Sequence, residues 1–103
     1  MLEKTYAGTN VLCSEQGYLT EMDQWTKPVG EAIAAEEGIA MTERHWEVID
    51  YLRNQQRQEV ALTIRKIGKS GVTTIKEFYA LFPDGPLKKA SRIAGIPKPV
   101  SCI

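Results

Sequence analysis

Between Thr42 and Gln58 the apolar residues Trp46, Val48, Ile49, Tyr51 and Leu52 recur at spacings of three and four, which gathers them into a stripe along a helix. Thr42 is placed to cap its start, and Glu43 favours the positive end of its dipole. This is the strongest periodic signal in the chain. A stripe of that kind has to be covered by other elements of the same fold. The chain has 103 residues, 43% of them hydrophobic, which suits one domain with one modest core. No apolar run approaches the roughly 18 residues of a membrane span. Residues 1–10 lack a basic-then-apolar leader pattern, so the expected location is the cytoplasm, with no membrane partner.

The other segments are short and punctuated. Residues 2–20 lack helical periodicity but carry the strand-formers Thr5, Tyr6, Val11, Leu12, Tyr18 and Leu19, with turn signals at Gly8–Asn10. They predict a β-hairpin, which is too small to be stable alone and must pack on helices. Asp23 to Gly38 predicts a helix with Thr26 as cap, Pro28 in its first turn and Gly38 closing its end. Val29, Ala32 and Ile33 would face the core, with Trp25 anchoring the entry. A short helix is expected over Leu62–Gly68. After Gly68-Lys69-Ser70-Gly71, Thr74 and Glu77 form a capping box ahead of Ile75, Phe78, Tyr79, Leu81 and Phe82. Helix, glycine-containing turn, helix is a helix-turn-helix pattern. A last helix is predicted from Pro86 to Ala94, stopped by Gly95. The expected fold is therefore mainly α, with a small N-terminal β-hairpin. Residues 1–95 form one domain with a helix-turn-helix-like core, and residues 96–103 form a flexible C-terminal arm.

The arm carries the chemistry. Pro97 and Pro99 forbid a helix and favour extended chain, which covers about 3 Å per residue, or about 25 Å for the eight residues after Gly95. Cys102 is the second-to-last residue. A buried cysteine behaves as a small hydrophobe, whereas an exposed thiol at a chain end is a liability unless it is used. One reading makes Cys102 a carrier that accepts a sulfane sulfur as a persulfide and hands it on by a thiol-exchange reaction. The other makes it an incidental terminal cysteine. Lys98 and the basic run Lys88, Lys89 and Arg92 would favour the thiolate and steer acidic partners, whereas the terminal carboxylate opposes ionisation. Cys13, between Leu12 and Ser14, suits packing. His45 lies beside the stripe of the Thr42–Gln58 helix and suits a structural hydrogen bond. Two cysteines without a CxxC, together with one histidine, make neither a disulfide framework nor a metal site, and no cofactor is expected.

The net charge is zero but unevenly spread. Residues 1–52 hold three bases and ten acids, and residues 53–103 hold ten bases and three acids. Either a basic face docks an acidic partner or nucleic acid, or the two halves pair within the fold.

The run from Leu81 to Ile103, LFPDGPLKKASRIAGIPKPVSCI, resembles the C-terminal signature of the TusE/DsrC/DsvC family of sulfur-relay proteins. Gly17-Tyr18-Leu19, Trp25, Ala34-Ala35-Glu36-Glu37-Gly38-Ile39 and His45-Trp46-Glu47-Val48-Ile49 agree with it. The resemblance covers essentially the whole chain. It implies helices with an N-terminal hairpin, a helix-turn-helix-like core and a flexible arm whose penultimate cysteine, here Cys102, carries sulfur. DsrC-type members have a second cysteine before it with ten residues between, and the matching position here is Ser91. A serine cannot make the disulfide or trisulfide that those members use with dissimilatory sulfite reductase. The resemblance is thus to the single-cysteine, TusE-like kind, which takes sulfur from a TusBCD-like donor complex and passes it to an MnmA-like tRNA thiolase. The alternatives are a partner of a sulfite reductase and a DNA-binding regulator. The second is weakened because the helix after Thr74 carries Lys76 as its one base and no base-reading Arg, Asn or Gln.

Overall fold

The computed structural model describes residues 2–60 and 62–97; Met1, Ala61 and residues 98–103 lie outside the described residues. Strands β1 (Leu2–Tyr6) and β2 (Thr9–Cys13) pair antiparallel, with Leu2 opposite Cys13 and Tyr6 opposite Thr9. Ala7 and Gly8 make the turn at φ +53° and +77°. Two successive positive φ values match the twist of a tight hairpin. The open side of β2 is not left bare. The Leu12 N–H donates to Gln24 Oε1 at 2.6 Å, and Gln24 Nε2 donates back to Leu12 O at 3.1 Å. Tyr6, Val11 and Cys13 turn inward, and Leu2 and Leu12 outward.

Helix α1 (Lys27–Glu36) starts later than Asp23, after a separate 3₁₀ turn at Met22–Gln24. The reason is Thr26: its backbone is extended and its hydroxyl accepts the Val29 N–H at 3.3 Å, which fixes the first turn behind it. Helix α2 (Glu43–Arg57) follows the predicted span closely. Its cap includes an unforeseen member. His45 Nδ1 accepts the Thr42 N–H at 3.1 Å, taking the place of the usual Glu in a capping box. The same ring donates from Nε2 to Leu81 O at 2.9 Å and stands edge-on to Phe82. His45 is thus a structural hydrogen-bonder that ties α2 to the end of α4.

Helices α3 (Ile64–Lys69) and α4 (Ile75–Leu81) are short and each is capped by a threonine. Thr74 accepts the Glu77 N–H as predicted, at 3.0 Å. The other half of that box does not form, because Arg44 and Thr73 take the Glu77 carboxylate. Of the apolar residues expected on α4, Phe78 and Phe82 are buried, while Ile75 and Tyr79 are exposed. Helix α5 (Pro86–Ala94) is bounded by Gly85 and Gly95, both left-handed. It packs against α1 and α2, with Leu87, Ala90, Ile93 and Ala94 in the core. The chain is mainly α with a small N-terminal hairpin, as the sequence predicts.

One boundary needs correction. Ile96 was expected in the arm, but it is 1% exposed and belongs to the core. Its apolar side chain is more favourable inside than in water, and its N–H donates to Ser91 O at 3.2 Å. The segment available to an arm therefore starts at Pro97. The rest of the expected arm, residues 98–103, lies outside the described residues.

Candidate functional site

The C-terminal turn of α5 leads through the buried Ile96 to Pro97, where the chain reaches the surface. A helix ends with carbonyl oxygens that have no partner within the helix. Here Ser91 O accepts the Ile96 N–H and Arg92 O accepts the Gly95 N–H, the double closure made possible by Gly95 at φ +67°. Two side chains take the next carbonyls. Trp25 Nε1 donates to Ile93 O at 2.6 Å, and Arg53 Nη1 donates to Ala94 O at 2.7 Å. The Arg53 guanidinium also donates to Met22 O at 3.3 Å, and its carbon lies 4.2 Å from the centre of the Trp25 ring. Burial, aided by the nearby Arg57 charge, lowers the Arg53 pKa from its ordinary value. Trp25 fits because glycine stands on both sides of it. A Cβ at Gly95 would fall 2.4 Å from Trp25 Cδ1, and one at Gly30 would fall 2.9 Å from Trp25 Nε1.

One face of α5 lines a shallow cleft of about 350 Å³ with Gln16, Tyr18, Glu37, Asp84, Lys88, Lys89 and Arg92. The structure thus brings together Lys88, Lys89 and Arg92, the three bases singled out in the sequence. They are not equivalent. Lys88 and Lys89 have no ion pair among the described residues. Arg92 was expected to steer partners, but it is committed inside the fold. It pairs with Glu37, with Glu36 at 3.0 Å, and donates to Gly17 O at 3.3 Å. Glu36 also accepts the Tyr6 hydroxyl at 2.9 Å. Burial, reinforced by the Glu36 hydrogen bond and charge, pushes the Tyr6 pKa up to about 12. Arg92 is therefore the centre of a clasp joining the hairpin, the Gly17 turn, α1 and α5. The partners that capture it lie 55 or more residues away in sequence, so no local pattern reveals the commitment.

Of the two thiols, Cys13 is 0% exposed beneath the hairpin, and burial, the largest influence, raises its pKa. A shielded, protonated thiol is a poor nucleophile, so Cys13 serves packing. Cys102 and Lys98 lie outside the described residues. Ser91 is 0% exposed on the inner side of α5, and its Oγ has no hydrogen-bond partner among the described residues. Arg53 went unnoticed in the sequence. The available signal was its place on the apolar stripe itself, four residues after Ile49, where a charge needs a buried acceptor. Among the described residues no three His, Cys, Asp or Glu side chains gather as a metal site, and no helix is long and apolar enough to cross a membrane.

Against this geometry, comparisons with known proteins are consistent over the whole chain. The profile of the family described as "DsrC like protein" matches residues 5–103. The protein "Sulfurtransferase TusE" of Pectobacterium atrosepticum is 40% identical over 111 aligned positions, covering 100% of each chain. The crystal structure of dissimilatory sulfite reductase I (DsrI) superposes with a TM-score of 0.85 at 32% identity, covering 99% of this chain and 100% of the other. The crystal structure of the oxidized gamma subunit of the dissimilatory sulfite reductase, DsrC, from Archaeoglobus fulgidus gives 0.81 at 34% identity, covering 99% and 100%.

Proposed function

This chain belongs to the DsrC-like family, and from that premise we propose that it is a sulfurtransferase of the carrier kind, accepting sulfane sulfur on Cys102 and relaying it to a partner protein. The observation that carries this reading is the full-length likeness to TusE, in a chain whose other thiol, Cys13, is buried.

The chemistry is balanced without an added oxidant or reductant. The Cys102 thiolate attacks the outer sulfur of a donor persulfide. A new S–S bond forms on Cys102 as the donor's S–S bond breaks, and the donor leaves as a thiolate. An acceptor thiolate then attacks the outer sulfur of the Cys102 persulfide. The S–S bond moves to the acceptor and the Cys102 thiolate is released. Lys88 and Lys89, which form no ion pair among the described residues, line the cleft and attract acidic partners; Lys98, expected to act with them, lies outside the described residues. The relay we propose runs in the cytoplasm, from a TusBCD-like donor complex to an MnmA-like tRNA thiolase.

A second reading, a partner of a sulfite reductase, is favoured by the structural likeness to the DsrC gamma subunit. Ser91 stands against it, since a hydroxyl cannot join a cysteine pair. Incubation with a protein persulfide donor, followed by mass spectrometry, tests the carrier reading. We expect a gain of about 32 Da, one sulfur atom bound covalently to a thiol, on the peptide containing Cys102. Cys102→Ser should carry none, and Cys13 should remain unmodified in both. An unloaded wild-type chain would refute the reading, and co-purification with a sulfite reductase would favour the second one.

A further inference from the structure

We propose that Trp25 and Arg53 are positioning residues for sulfur transfer: together they clamp the last turn of α5 by its carbonyl oxygens and so fix where, and in which direction, the chain carrying Cys102 leaves the domain. This role rests on the carrier reading above.

Backbone closure alone would have ended the helix adequately. Gly95 and Ile96 already satisfy Arg92 O and Ser91 O, and the two remaining carbonyls could be left to water, as at many helix ends. Instead two side chains from separate parts of the fold, one before α1 and one on α2, each take one of them. Arg53 is 7% exposed and forms no ion pair among the described residues; its hydrogen bonds go to the carbonyls of Ala94 and Met22. Burying a cation with carbonyl partners alone is unfavourable compared with an apolar residue there. The helix dipole and the Trp25 face offset part of that cost. Gly30 and Gly95 give up side chains so that the indole can lie against the chain. These departures from simple packing converge on the two residues before Gly95. They leave the backbone at Ile96 seated and Pro97 exposed. A tethered thiol that must enter a partner's site gains from a fixed origin, because reaction rate falls steeply with small errors in placement.

The test uses the full chain with a nitroxide attached at Cys102, Cys13 being shielded. Paramagnetic broadening of backbone amides is compared among the wild type, Trp25→Phe and Arg53→Met, with circular dichroism verifying that each remains folded. Broadening in the wild type should concentrate on one side of the molecule, and in both variants it should spread to other faces. Arg53→Lys, which keeps the charge and a nitrogen that can donate to the carbonyls, should restore much of the wild-type pattern. Transfer from the persulfidated chain to an MnmA-type thiolase should show KM raised about tenfold in Arg53→Met, while alkylation of Cys102 by iodoacetamide stays within about twofold. Identical broadening in the wild type and both folded variants would overturn the clamp while leaving the carrier reading intact. A wild-type chain that takes up no sulfur would overturn the carrier reading instead.

Discussion

At the scale of single residues, Ser91 stands where the resemblance to DsrC-type members implies a second cysteine. It is fully buried on α5, and its hydroxyl has no partner among the described residues. A buried polar group without a partner costs about 1–3 kcal/mol. Ser91→Ala is therefore expected to raise stability by about 1 kcal/mol, read as a later urea midpoint at constant slope. A loss of stability would show that the hydroxyl has a partner after all. The sequence identified this position through its resemblance, but could not show its burial. His45 illustrates the opposite case. Its structural role was legible from its place beside the apolar stripe, whereas its donor partner, the Thr42 N–H, and its acceptor partner, Leu81 O, were not.

At the scale of elements, helix boundaries were legible where the signal is local. Thr26, Thr42 and Thr74 cap their helices, and Gly38 and Gly95 end theirs in the left-handed region, because each of these effects spans only three or four residues. Glu77 shows where locality fails. The sequence assigns its carboxylate to the start of α4, but Arg44 on α2 draws it away, 33 residues distant in the chain. The Arg44 and Thr73 hydrogen bonds lower the Glu77 pKa to about 2 from an ordinary value of 4.5. A lowered carboxyl pKa means the folded state favours the ionised form. The stabilisation is complete above pH 4.5 and is lost as the pH falls toward 2. The melting temperature of the wild type should exceed that of Glu77→Gln at pH 6, and the gap should close on acidification to pH 2. A gap independent of pH would place the effect of the substitution elsewhere than in the charge.

At the scale of the whole molecule, part of the uneven charge along the chain cancels within the fold and part remains as a basic surface. Arg92 from the basic half binds Glu36 and Glu37 from the acidic half, so part of the imbalance cancels within the fold. Arg65, Lys66, Lys69, Lys76, Lys88 and Lys89 form no ion pair among the described residues and leave a basic surface on α3, α4 and α5. Arg92→Met should cost about 2 kcal/mol, because it leaves the largely buried Glu37 carboxylate without its cation and Glu36 with Lys4 at 3.8 Å. Hydrogen exchange should quicken in β1, β2 and the Gly17 turn more than in α3 and α4. Uniform quickening would show that Arg92 supports the entire core and not the clasp. The clasp and the grip on the last turn of α5 were both illegible in the sequence for the same reason: long side chains reach across the fold to backbone or charge that no periodicity links to them. The grip has a mechanical consequence. When a partner pulls on the C-terminal tail, the load does not unravel α5 turn by turn from its free end. It passes sideways through the indole and the guanidinium into the neighbouring helices, so the domain resists traction as a single body.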